Sequence, residues 1–147
     1  MINMKTISLR FTEKFAPNCG TIKAHQDIIN KLGYVWYGKI GGSISDKTTK
    51  QFDLNGDFKI LLIESGKFNR YWAYVSEISK TKPSKDAYPD YYGELADKMK
   101  TWFKITKIVP APKDIMKRCF VISSGRVLSD ASKCSMNPCL FIECKDD

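Results

Sequence analysis

The sequence predicts an α+β domain in which a small, curved mixed sheet, or an open β-barrel, is flanked by helices. Three observations predict it. Segments patterned as strands outnumber those patterned as helices. Successive strands are often separated only by tight turns. The regular strand–helix alternation of a doubly wound fold is absent. The chain has 147 residues, of which 43% are hydrophobic. That is enough to bury one core without disulfides or metals, so residues 1–147 read as a single domain.

The elements follow in order along the chain. Thr6 to Phe11 alternates polar and apolar, the period of a strand. Lys14 to Gly20 holds Pro17, Asn18 and Gly20 and reads as a loop. Thr21 to Leu32 carries an apolar stripe of Ile22, Ile28, Ile29 and Leu32, so it reads as a helix that Gly33 terminates. Tyr34 to Ile40 is aromatic and β-prone, and Gly41-Gly42-Ser43 breaks it. Phe58 to Glu64 enters through the Asn55-Gly56-Asp57 turn and contains the longest apolar run, Ile60 to Ile63. With Arg70 to Ile78 it reads as a hairpin. Ser79 to Asp90 is a long polar loop. Tyr91 to Lys100 places Tyr92, Leu95, Ala96 and Met99 on one helical face. Trp102 to Val109 is a strand stopped by Pro110 and Pro112. Lys113 to Met116 is one helical turn, Cys119 to Ile122 a short strand or helix end, and Cys139 to Glu143 a last strand.

Charge and cysteine content bound the function. The net charge is +8, from 24 basic and 16 acidic residues. Such a surplus favours polyanionic partners, nucleic acid first among them. Residues 97–133 hold nine basic and three acidic side chains, so most of the excess sits there. No run approaches the roughly 20 apolar residues of a membrane span, and the first residues lack a signal-peptide pattern. The five cysteines are odd in number and include no CxxC pair. The simplest account is five reduced thiols in a soluble cytoplasmic protein that binds neither metal nor cofactor.

Three constellations could carry chemistry. Tyr34, Trp36, Tyr37, Tyr71, Trp72, Tyr74 and Trp102 fall on or beside predicted strands. Some could stack on an unpaired or flipped base, while packing in the core is the ordinary fate of a Trp and fits Trp102 best. The turn from Lys39 to Ser45 lets backbone approach a ligand closely, although it lacks the spacing of a phosphate-binding loop. On the late strand, Lys104 and Thr106 share a face with Trp102, and a basic stripe beside aromatics suits a nucleic-acid backbone. A solvated face is the ordinary alternative. The lone His25 lies on the apolar side of its helix, as a semi-buried, hydrogen-bonded histidine would. No paired carboxylates or nucleophile–base pattern argues for catalysis.

From about Tyr34 to Ile142 the chain resembles the PUA-like superfamily, its EVE and YTH branches above all. The resemblance rests on Tyr34 to Lys39, followed by a pocket-forming turn; on the paired strands Lys59 to Ile63 and Tyr71 to Ile78; and on Thr101 to Ile108 followed by Pro110-Ala111-Pro112. Ser132 to Pro138 falls where these families carry a loop near the ligand. The Ser45 to Asp57 insertion departs from the EVE pattern, and the YTH aromatic cage is not fully matched. The β-α stretch over about residues 1–33 stands outside the resemblance as an N-terminal extension that could meet a protein partner.

The resemblance implies a reader domain, not an enzyme, that binds DNA or RNA through an aromatic pocket accepting a modified or flipped base. The pocket residues expected are Trp36, Tyr37, Ser43 and Trp72. Lys39, Arg70, Lys104 and Lys133 would contact phosphates, and Ser135 and Asn137 would hydrogen-bond the base. The competing readings are a protein-interaction module of a phage or bacterium and a small nucleotide-acting enzyme.

Overall fold

The computed structural model describes residues 2–11, 18–40, 58–64, 69–134 and 139–146. Its strands are β1 (Ile2–Phe11), β2 (Val35–Ile40), β3 (Lys59–Glu64), β4 (Arg70–Ser79), β5 (Met99–Pro110), β6 (Cys119–Val121) and β7 (Cys139–Asp146). Its α-helices are α1 (Thr21–Leu32), α2 (Ile115–Arg118) and α3 (Leu128–Cys134), and two 3₁₀ segments span Lys85–Ala87 and Asp90–Lys98. The strands pair as one mixed sheet in the order β2-β5-β4-β3-β1-β7-β6, the α+β class expected from the sequence. The Gly41-Gly42-Ser43 and Asn55-Gly56-Asp57 turns lie outside the described residues.

The chain is laid out as two compact units, both assembled from discontinuous stretches. The first comprises Met1–Phe11, Lys59–Trp72 and Val109–Asp147. Here β1 lies parallel to β3, with Ser8 opposite Leu61, and antiparallel to β7, from Ile2 opposite Asp146 to Leu9 opposite Cys139. The stretch set apart in sequence as an extension therefore supplies a strand flanked on both sides. Thr6, Ile7, Ser8 and Leu9 are all buried, which overrides their polar–apolar alternation. Burial of Thr6 is tolerated because its hydroxyl donates to the Lys59 carbonyl at 2.6 Å, and a buried hydroxyl without a partner is costly. The core of this unit gathers Leu61, Ile63, Trp72, Ile115, Met116, Leu128 and Ile142.

Two features of this unit differ from the sequence reading. Helix α3 was not foreseen. Among its described side chains Leu128 and Ala131, three apart, are buried, too short a stripe to show as helical periodicity. The expectation of five reduced thiols is corrected, since Cys119 and Cys144 form a disulfide. They are directly opposed on the antiparallel strands β6 and β7, where facing residues approach closely. A separation of 25 residues hides that register from any spacing rule. Cys19 is an exposed free thiol, and Cys139 is buried.

The second unit comprises Thr12–Phe58 and Ala73–Ile108. Helix α1 ends where expected: Gly33 adopts φ 88°, and its N–H bonds the Ile29 carbonyl at 2.7 Å. Its buried positions are Thr21 and His25, while Leu32 is exposed. The helix thus faces inward through Thr21 and a hydrogen-bonded histidine, with Ile22, Ile28 and Ile29 of the expected stripe half-buried. The segment read as a helix from Tyr91 to Lys100 is instead 3₁₀. Gly93, at φ 49° and ψ −129°, is not helical and breaks it, and Met99 and Lys100 belong to β5. Strand β2 pairs antiparallel with β5 from Val35 opposite Ile105 to Ile40 opposite Met99, with a bulge between Lys39 and Ile40.

Candidate nucleic-acid interface

Successive side chains on a strand point to opposite faces, and directly opposed residues of paired strands share a face. On β2 and β5 this sorts the residues cleanly. Val35 opposes Ile105 and Tyr37 opposes Phe103, all buried, on one face. Trp36 opposes Lys104 and Gly38 opposes Trp102 on the other. The second face carries aromatic surface and a cation side by side.

The absence of a side chain at Gly38 makes this packing possible. A Cβ there would lie 2.0 Å from Met99 Sδ and 3.0 Å from Trp102 Cζ3. Trp102, with no solvent exposure, fills the space. The ring of Tyr88 lies 5.3 Å from it, and that of Tyr92 lies 6.1 Å away. Tyr88 and Tyr92 stack at 5.6 Å with a 19° interplanar angle. Tyr91 meets Tyr92 edge-on at 5.2 Å. Trp36, Tyr91 and Leu95, all half-buried, pack against this cluster from its rim. Among the described residues the indole N–H of Trp102 finds no acceptor, a state that costs about 1–3 kcal/mol when the donor is fully buried.

A hydrogen-bond chain fixes the cluster from behind. His25 Nδ1 lies 2.7 Å from the Thr21 carbonyl, and its Nε2 lies 2.5 Å from the Tyr92 hydroxyl. A carbonyl only accepts, so Nδ1 carries the proton and Nε2 accepts from Tyr92. The Gly38 N–H then donates to the Tyr92 oxygen at 3.3 Å. This bond satisfies a backbone group on β2, the terminal strand of the sheet, where unpaired groups are otherwise left open. Burial lowers the His25 pKa to about 4, against a smaller opposing effect of its bond to Thr21. Burial, with Tyr37 and Tyr91 nearby, holds the Tyr92 pKa well above its ordinary value. Both groups are neutral at pH 7, as the chain of donors requires.

Cations border the aromatic surface. Lys104 Nζ sits 4.7 Å from the Tyr34 ring centre, and Lys107 Nζ sits 5.6 Å from that of Tyr74. Strand alternation places Lys107 on the face of Phe103 and Ile105, opposite to Lys104.

The residues singled out in sequence fall into three groups. Trp36, Lys39 and Lys104 are half-buried on β2 and β5, whereas Tyr37 is buried with its ring 5.1 Å from His25. Arg70 and Trp72 belong to the other unit. There Trp72 is 5% exposed, sits in the apolar core and carries Lys59 Nζ 4.5 Å above its ring. Trp36 and Trp72 therefore stand in separate cores. Ser43, Ser135 and Asn137 lie outside the described residues, as does the side chain of Lys133. Sequence reasoning missed Tyr88, Tyr91 and Tyr92 as companions of Trp36. The available signal was the clustering of three tyrosines around Pro89, Tyr88 in the stretch read as a polar loop and Tyr91 and Tyr92 at the start of the segment read as a helix.

No helix among the described residues is long and apolar enough to cross a membrane. No curated protein and no solved structure matches the chain. A family model described as Pua-like matches residues 7–136, from within β1 to just past α3, and the chain therefore belongs to the Pua-like family.

Proposed function

We propose that this chain binds single-stranded DNA or RNA across the Trp36–Lys104 face of β2 and β5, holding an unpaired base, modified or flipped, against the aromatic cluster. Pua-like domains generally bind RNA and other nucleic acids and are typically binding modules rather than enzymes. The observation that carries the reading is the direct opposition of Trp36 and Lys104 at the rim of the cluster. Stacking on an aromatic ring is indifferent to base identity, and a neighbouring ammonium neutralises the phosphate that accompanies the base. Lys39, half-buried on the same strand, extends the basic border. Recognition of a modified base is part of this proposal, because an aromatic pocket rewards a base that cannot pair in a duplex.

Titration of labelled single-stranded oligonucleotides tests it. Trp36→Ala should weaken binding by about 1–3 kcal/mol while leaving the thermal melt nearly unchanged, since Trp36 is half-buried at the edge of its cluster. A variant that melts far lower and still binds normally would return Trp36 to a packing role and overturn the proposal.

A further inference from the structure

We infer that the indole N–H of Trp102 is the donor that reads the bound base, selecting one that presents a neutral acceptor, a carbonyl oxygen or an unprotonated ring nitrogen. The inference rests on the nucleic-acid reading and adds a hydrogen bond to the bound base, one that discriminates against a cationic base. Trp102 has no solvent exposure, and its Nε1 has no partner among the described residues. Buried donors in folded proteins are nearly always paired. An unpaired one calls for an explanation, and a bound partner from outside the chain supplies one here. The hydroxyl of the neighbouring Tyr92 is committed to Gly38 N–H and His25 Nε2, and both ring nitrogens of His25 are engaged. Cζ3 is the Trp102 atom that a Cβ at Gly38 would meet, and Nε1 lies across the indole ring system from it. His25 and Tyr92 are both neutral, so the cluster offers no counter-charge to a cationic base, and an N–H donor repels one.

The indole is covered in the ligand-free chain. A base reaches it by displacing Tyr88, on the segment between β4 and β5, whose ring lies 5.3 Å from the indole, while Tyr92 stays held by His25 and Gly38. Gly93, with its left-handed φ of 49°, interrupts that segment directly after Tyr92. Displacement there breaks no regular helix.

The test uses the three tryptophan indole signals in ¹H–¹⁵N spectra of the full chain, assigned through single Trp→Phe variants. Single-stranded octamers of each of the four RNA bases are the probes. The expected result is that a binding octamer moves the Trp102 indole proton to lower field and slows its exchange with water. Trp102→Phe should then lose about tenfold in affinity, the size of one buried hydrogen bond. Where that variant fails to fold, the wild-type signal decides. Binding that shifts Trp36 and leaves the Trp102 indole unmoved would overturn this inference and spare the nucleic-acid reading. Absence of binding by every octamer would overturn both.

Discussion

His25 shows how one buried residue sets a pH limit on the fold. Its pKa is about 4 in the folded chain and about 6.5 when unfolded. Between those values the unfolded state takes up a proton that the folded state refuses. Stability is therefore complete above about pH 6.5 and is lost as pH falls towards 4, by about 1.4 kcal/mol per pH unit and about 3 kcal/mol in total. Urea melts at pH 7.5 and 4.5 should show this loss in the wild type and a much smaller one in His25→Gln. Equal losses would assign the acid sensitivity to other groups. Gly38 sets a second limit of this kind. Adding a methyl there drives it into Met99 and the Trp102 ring, and overpacking of this sort costs about 1–3 kcal/mol. Gly38→Ala should lower the melting temperature, and Met99→Ala should partly restore it, because Met99 Sδ is the closest obstacle. A Gly38→Ala protein that melts like the wild type would show that the ring does not approach the strand so closely. Neither residue announced its role in sequence. His25 was expected to be satisfied and semi-buried, but its partner Tyr92 is 67 residues away.

At the scale of elements, legibility followed local physics. Strands β2, β3, β4 and β5 were readable because β-branched and aromatic runs end at Gly, Pro or polar turns. Helix α1 was readable because Gly33 is placed for a left-handed cap. The elements that went unread depend on contacts distant in sequence. The 3₁₀ segment from Asp90 to Lys98 has a helical apolar pattern, yet Gly93 and packing of its tyrosines on Trp102 deny it an α-helical path. The disulfide is the clearest case. Only the pairing of β6 with β7 makes Cys119 and Cys144 neighbours. Alkylation of the denatured protein without reductant should label Cys19 and Cys139 and leave Cys119 and Cys144 unlabelled until reductant is added. Closing a loop of 25 residues removes chain entropy from the unfolded state. The double variant Cys119→Ala/Cys144→Ala should accordingly be less stable by about 3 kcal/mol. Labelling of both cysteines without reductant would show the pair to be open.

For the molecule as a whole, the question is whether its charge acts as a diffuse field or through particular contacts. A net charge of +8 attracts any polyanion, and that attraction alone makes binding fall with salt. The sequence shows the surplus but treats the lysines of residues 97–133 as equivalent. The pairing of β2 with β5 separates them. Lys104 shares the face of Trp36 and Trp102, and Lys107 points to the other. A diffuse field predicts that Lys104→Glu and Lys107→Glu, each changing the net charge by two, weaken oligonucleotide binding equally. A contact at the aromatic face predicts a larger loss for Lys104→Glu, nearly uniform across sequences. It also predicts a flatter plot of log affinity against log salt, by about one phosphate contact. Lys107→Glu should retain the wild-type slope. Anisotropy titrations of the same oligonucleotides from low to physiological salt distinguish the two. Identical slopes for both variants would mean that the basic surplus is a solvated surface, with the aromatic face left to account for binding without it.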